Sequence, residues 1–362
     1  MNALKTKKVD YYNAQATLET PEKISLLFTD KKKQQLTAKK IVIAVGTRPY
    51  HPEDVSFGGV RILDSDTILN LQEIPKSLIV YGGGVIGCEY ATMFSRLSTE
   101  VFLVNPKPKL LDFLDQDLSA MMQELMKLSH IHLIFGQDYQ VIEESEKKVK
   151  LVLRSAETLQ ADYLLYANGR RGNAENLGLE NCSIPLNSRN QIPVNEHYQT
   201  LNPNIYAVGD IIGFPSLVST GNEQGRCAAQ HAILGTNKFL NSKNIPLAVY
   251  TIPEIAAVGL TEAELKSSHT PYEKGICYFR ELARPSLVGE EDGFIKLLFC
   301  PKTKILFGVH ILGYYASDLI HIGQAVIHYQ GTLDYFLEEV INFPTFSSGY
   351  KVAALEGLSK II

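Results

Sequence analysis

The stretch SLIVYGGGVIGCEYATMF, residues 77–94, constrains this chain more than any other. A short apolar run ends in three glycines, and a helical pattern begins at once. Gly82, Gly84 and Gly87 stand at G-x-G-x-x-G spacing, the fingerprint of a dinucleotide-binding turn. In such a turn Gly82 permits the tight bend, Gly84 lets backbone approach a diphosphate, and Gly87 lets helix and strand pack closely. The backbone N–H groups around Val85 and Ile86, at the positive end of the helix, then face the diphosphate. The spacing alone is weak evidence. Here it follows an apolar strand, opens a helix and is succeeded by a second strand, EVFLVN, so NAD or NADP is the expected substrate.

The pattern around the turn changes along the chain. Residues 9–45 carry short β-rich runs with polar turns, consistent with an antiparallel meander that ends in IVIAVGTRP. The basic run Lys31-Lys32-Lys33 reads as a solvated hairpin turn. From Ser77, strand and helix alternate, with a helix expected over 115–128 because Leu118, Met121, Met122, Leu125 and Leu128 share one face. IHLIF, VKLVLR and YLLYANG supply further strands. NIYAVGD and a small-residue helix, EQGRCAAQHAIL, open another block, and the composition shifts again near Ile245 toward an α+β pattern.

Nucleotide selectivity is sought at the end of the second strand. NAD-binding turns usually place an acid there, about 20 residues past the glycines, to meet the ribose hydroxyls. This strand ends in Asn105, followed by Pro106, Lys107, Pro108 and Lys109. Without a carboxylate to repel a 2′-phosphate, Asn105 is expected to bond the ribose and Lys107 to attract a phosphate. Weak discrimination between NAD and NADP follows. Glu89, placed in the first helical turn, either complements the helix dipole or meets the far end of the nucleotide. Tyr81 reads as a strand residue shielding the nucleotide.

Composition removes several function classes. With 362 residues, 45% of them hydrophobic, the chain can form two or three domains. A net charge of −4 offers no broad basic surface for nucleic acid or anionic membrane. The start, MNALKTKKVDYYNA, lacks a signal-peptide core, and no run is apolar enough to span a bilayer. Five scattered cysteines form no C-x-x-C pair, so reduced thiols and a cytoplasmic location are expected, with no metal site. His321 and His328 share a helix face, but no carboxylate or Cys stands at ligand spacing, and they read as packing or interface residues.

IAVGTRP, YGGGVIGCEYA, LLYANGR, IYAVGD and YTIPEIAAVGLTE occur in the order and spacing of the class I flavoprotein disulfide-reductase family, which the chain resembles over nearly its whole length. The stretches DSDTIL, DQDLS and HIGQA point to its transhydrogenase branch. The resemblance implies FAD as cofactor and NAD and NADP as alternating substrates at one site, with hydride moving from NADPH to NAD. The flavin carries the hydride chemistry, so no catalytic side chain is expected. It places Gly46, Thr47, Gly209 and Asp210 beside the flavin. Glu89, Gly169 and Arg170 border the nicotinamide nucleotide. The implied fold class is α/β: a Rossmann-like NAD(P)-binding domain (75–198) inserted in a partial FAD-binding domain (1–74 and 199–245), followed by an α+β dimerisation domain (246–362). A homodimer is implied.

The chain also departs from the family. It has no C-x-x-x-x-C pair, and INFPTFSSGY puts Phe343-Pro344-Thr345 where disulfide reductases carry His-Pro-Thr, with Ser348 at their glutamate position. Phenylalanine exchanges no proton, so reduction of dihydrolipoamide or glutathione is not expected. No glycine turn for the ADP half of FAD lies between Met1 and Gly46. The chain therefore resembles an N-terminally truncated member, with weak flavin binding expected when alone. A non-catalytic NAD(P)-binding dimer and a dihydrolipoamide dehydrogenase-like diaphorase are the alternatives.

Overall fold

The computed structural model describes residues 6–236 and 244–361. Contacts divide the chain into two compact units, 1–48 with 170–240 and 49–169 with 241–362.

In the first unit, residues 14–20, 23–28 and 33–37 form an antiparallel sheet in sequential order. The third strand ends at Thr37, short of the IVIAVGTRP segment expected to close the meander. The start of that segment, Ile41–Ile43, pairs in parallel with Ile205–Ala207. Leu18, Ile43, Ala174, Leu179, Ile184, Ile192 and Ile205 share one core. Residues 170–198 therefore pack with this unit, away from the break expected at 198.

The second unit carries the glycine turn. Strands β1 (Ile62–Leu63), β2 (Ser77–Tyr81), β3 (Glu100–Asn105), β4 (Ile131–Phe135) and β5 (Tyr163–Tyr166) form a sheet in the order β1-β5-β2-β3-β4, all parallel. Helix α1 (Val85–Arg96) joins β2 to β3, and α2 (Gln116–Leu128) joins β3 to β4. Through β1, residues 49–74 belong with this sheet, so no boundary appears at 74.

Side-chain alternation settles both faces of the sheet. Leu78, Val80, Val101 and Leu103 pack against Cys88 and Ala91 of α1 and Leu118, Met122 and Met126 of α2. Ile79, Tyr81, Val104, Leu164 and Tyr166 face an antiparallel three-stranded excursion over 139–161, meeting Val149, Leu151 and Leu153. A strand buried on both faces reads as a continuous apolar run, as SLIVY does.

A second sheet follows: β6 (Leu247–Val249), β7 (Ile255–Gly259), β8 (Glu273–Tyr278), β9 (Phe294–Phe299) and β10 (Leu306–Leu312), antiparallel in the order β6-β7-β10-β9-β8. Helices α4 (Ala316–His328) and α5 (Ser348–Leu358) cover it, as does the short α3 (Glu262–Ser267) at its edge.

The two sheets are tied by a buried ion cluster. Lys296 on β9 is fully buried, and its Nζ donates to Asp115 (2.6 Å), Asp117 (2.7 Å) and Glu262 (2.5 Å). Asp115 also caps α2, accepting from the Asp117 N–H, and accepts from the Glu262 N–H at 3.1 Å. Lys274 adds a second positive charge, 2.9 Å from Glu262. Burial disfavours every charge here, yet the mutual pairing wins. Lys296 is held above its usual range, and Asp115 and Glu262 are held below theirs. Among the described residues, these three acids are grouped closely enough to hold a cation, and an ammonium already stands among them.

The sign of the pH effect follows. Carboxylates with depressed folded pKa values stabilise the fold above the unfolded value of about 4, and that contribution is lost as pH falls below it. Lys296→Met leaves the buried Asp115 without its ammonium, Asp117 and Glu262 keeping Lys274, and is expected to cost about 3–5 kcal/mol at pH 7. Urea unfolding at pH 7 and pH 4 measures both, with the variant's deficit shrinking at the lower pH.

Candidate functional site

Strand β2 ends at Tyr81, and Gly82 turns the chain with φ +119°, a conformation that favours glycine. A Cβ on Gly82 would lie 2.6 Å from the Ala167 carbonyl oxygen, on the segment leaving the neighbouring strand β5. A Cβ on Gly87 would lie 1.8 Å from the Gly82 carbonyl oxygen, so only glycine lets α1 pack so close to the turn. Gly84 differs from both. It is the N-cap of α1, and a Cβ there meets nothing within 4 Å. No side chain caps the helix, so the first-turn N–H groups of Val85, Ile86 and Gly87 have no side-chain acceptor. The turn thus opens a helix N-terminus at the carboxyl end of β2, where the sheet order reverses between β3 and β5, the usual crevice for a dinucleotide.

Gly83 is gripped from one side. Its N–H donates to Asn105 Oδ1 (3.1 Å), and its carbonyl accepts from the Leu111 N–H (3.1 Å). Asn105 also donates through Nδ2 to the Lys109 carbonyl (2.8 Å) and is only 4% exposed. The ribose contact expected of Asn105 therefore meets a side chain engaged at both ends. Lys107 does reach solvent, 65% exposed, with its Nζ 2.7 Å from Asp112.

Helix α1 starts at Val85, so Glu89 lies one turn further in than expected. Its Oε1 accepts from the Tyr250 N–H (2.8 Å). Burial raises its pKa, and that backbone bond partly opposes the rise. Tyr81 lies fully buried with its hydroxyl donating to Asp138, on the sheet face opposite α1. Gly169 has φ +109° and open space at its Cβ position. Arg170, expected to border the nicotinamide nucleotide, is bonded to Thr47: Nε to Oγ1 at 2.8 Å and Nη2 to the carbonyl at 2.9 Å.

In the first unit, the parallel strands Ile41–Ile43 and Ile205–Ala207 lead to Gly46 (φ +67°) and Gly209 (φ +74°), both with open space where a Cβ would stand. Thr47 Oγ1 lies 3.4 Å from Asp210 Oδ2, and Gln224 accepts from the Gly209 N–H (2.7 Å). The structure brings the four expected flavin-side residues to one pair of strand ends. Open backbone beside a carboxylate and a hydroxyl suits a polyhydroxylated ligand such as a ribityl chain.

The Lys296 cluster was not anticipated from sequence. Its signals were present: a lysine inside the apolar strand FIKLLF, and acids at helix-capping positions in DQDLS and TEAEL.

Residues 1–225 match the profile described as pyridine nucleotide-disulphide oxidoreductase, and residues 245–354 match the dimerisation domain of the same group. The chain belongs to the pyridine nucleotide-disulphide oxidoreductase family. It is similar to the soluble pyridine nucleotide transhydrogenase of Enterobacter sp. (strain 638), with 44% identity over 93% of this chain and 73% of that protein. Against the protein of the same name from Salmonella typhimurium (strain LT2), identity is 45% over 91% of this chain and 71% of the relative. Among solved structures, LpdA from Mycobacterium tuberculosis superposes with a TM-score of 0.91 at 24% identity, covering 98% of this chain and 78% of that one. The HOCl-induced flavoprotein disulfide reductase RclA from Escherichia coli gives 0.89 at 22%, covering 98% and 83%. These two share the fold. As a pyridine nucleotide-disulphide oxidoreductase the chain is an enzyme of a group that uses FAD and nicotinamide nucleotides. No helix among the described residues is long and apolar enough to cross a membrane.

The glycines separate by their neighbours. Gly87→Ala is expected to destabilise the fold by about 1–3 kcal/mol or more, because the methyl meets backbone. Gly84→Ala is expected to cost less than about 1 kcal/mol in stability yet weaken nucleotide binding about tenfold, since its methyl enters the open approach. Paired thermal melts and calorimetric titration with NAD+ distinguish the two.

Proposed function

We propose that this enzyme moves hydride from NADPH to NAD+ as a soluble transhydrogenase. One nicotinamide-nucleotide site is built on Gly82, Gly84, Val85, Ile86 and Gly87, with Glu89 and Gly169 at its margin. The observation that carries the reading is the uncapped helix N-terminus behind Gly84, in a chain 44% identical to a protein named for this reaction. The reaction balances without an outside oxidant: NADPH loses a hydride with its electron pair, and NAD+ gains it.

Bound FAD supplies a two-electron carrier between the two nucleotides. On the chain's side, Gly46 and Gly209 would leave room for the flavin chain, Asp210 and Thr47 would hold its hydroxyls, and Arg170 braces Thr47. The helix N-terminus holds the diphosphate common to NAD and NADP. Lys107, exposed and paired with Asp112, is the cation to attract the 2′-phosphate of NADP(H). Glu89, half-buried and bonded to Tyr250, orients the segment beside the nicotinamide end. Phe343 is 79% exposed and offers no exchangeable proton, which favours hydride traffic over a thiol relay. The working assembly is a homodimer through residues 246–362, in the cytoplasm, with the flavin-side residues in the unit of 1–48 and 170–240 and the glycine turn in the sheet of 49–169.

The test is spectroscopic. Flavin-loaded protein should be bleached by NADPH and restored by NAD+ under anaerobic conditions. Flavin that NADPH reduces but NAD+ cannot reoxidise would contradict the reading. Lys107→Ala is expected to weaken NADP+ binding several-fold, as for one lost exposed charge pair, and leave NAD+ binding unchanged.

A further inference from the structure

The family pattern explains an acid at the end of the second strand of a dinucleotide fold by ribose binding. Asn105 occupies that place here and has other partners. Its two polar ends are used inside the protein, one accepting from the Gly83 N–H and one donating to the Lys109 carbonyl. Because Gly83 offers a donor and Lys109 an acceptor, one amide orientation satisfies both. A carboxylate could accept from Gly83, but it could not donate to Lys109, and burial at 4% exposure would penalise its charge. The local bonding therefore demands an uncharged group with both functions.

The contacts nearby point the same way. The Gly83 carbonyl accepts from Leu111, and a Cβ on Gly83 would lie 2.7 Å from Asn105 Cγ and 2.5 Å from Leu110 Cδ2. The Gly136 N–H donates to the Lys107 carbonyl at 3.3 Å. Segment 105–111 is thus fixed to the middle residue of the glycine turn, while its lysine side chains remain in solvent.

We propose that Asn105 is a positioning residue of the nucleotide site: it holds Gly83 so that the helix N-terminus stays aimed at the diphosphate, and it does not read the ribose. The inference rests on the glycine turn being the nicotinamide-nucleotide site. It deepens that reading by dividing the labour. Asn105 serves NAD and NADP equally, and discrimination falls to the exposed lysines, Lys107 first. An uncharged residue at this strand end is then a requirement of the turn, and tolerance of both nucleotides is its consequence.

The experiment uses the full chain, with NAD+ and NADP+ titrated by calorimetry and amide exchange followed by mass spectrometry over the peptide spanning residues 81–88. Asn105→Ala is expected to weaken both nucleotides by the same factor, about tenfold, as for one lost buried hydrogen bond. Their affinity ratio should stay fixed, and exchange across the turn should accelerate. Asn105→Asp keeps an acceptor for Gly83 but loses the donor to Lys109 and buries a charge, so exchange across the turn should accelerate there too, and it carries the exchange test if the alanine variant fails to fold. A changed NAD+/NADP+ ratio with exchange unaltered would overturn the proposal and return Asn105 to the ribose. Slow exchange kept across the turn in Asn105→Asp would overturn it as well. If the unaltered chain binds neither nucleotide, the site reading fails separately, and exchange across the turn still decides whether Asn105 holds it.

Discussion

A single carbonyl governs the nucleotide-binding half of this protein. The Gly82 oxygen lies where a Cβ on Gly87 would stand, at 1.8 Å, so helix α1 can begin only if residue 87 carries no side chain. That closeness fixes the angle at which α1 leaves β2, and with it the direction of the helix N-terminus. Cys88 and Ala91 then pack onto Leu78 and Val80 beneath. Gly84 escapes the crowding and faces open space. Steric necessity at one glycine and steric absence at another, three residues apart, leave an ordinary strand-to-helix connection with an open, uncapped helix N-terminus.

The second constraint is electrostatic and holds the two sheets of this unit in register. Lys296 is fully shut off from the surface, so its charge is held by Asp115, Asp117 and Glu262. Asp115 caps the helix that follows the selectivity segment, and Leu111 of that segment bonds Gly83. A buried ion pair in the antiparallel sheet is therefore linked, through a helix cap and a short loop, to the residue in the middle of the phosphate turn. Such a pair contributes geometry more than net stability.

Much of the layout was legible in the sequence where local pattern and local structure coincide. The strand–glycine–helix unit and the helix expected over 115–128, found at Gln116–Leu128, are carried by periodicity and caps within a few residues of each other. The meander over residues 14–37 was legible for the same reason, whereas Ile41–Ile43 joins a partner more than 160 residues away and could not be separated from it by pattern alone. The Asn105 side chain shows the same limit at the scale of a site. Its position was identifiable by its spacing from the glycines. Its role depends on a donor 22 residues before it and an acceptor four after, which spacing does not reveal. Lys296 lies 181 residues from Asp115, and no periodicity joins them.

The proposed function asks these features to make one binding surface that senses the diphosphate strongly and the 2′-position weakly, as a hydride exchanger between two nicotinamide nucleotides requires. The most direct test is displacement at equilibrium. Protein saturated with NAD+ is titrated with NADP+, and the bound nucleotide is counted per chain. One nicotinamide nucleotide per chain is expected throughout, with NADP+ displacing NAD+ as its concentration rises. Simultaneous binding of both, or NAD+ that no concentration of NADP+ can displace, would contradict it.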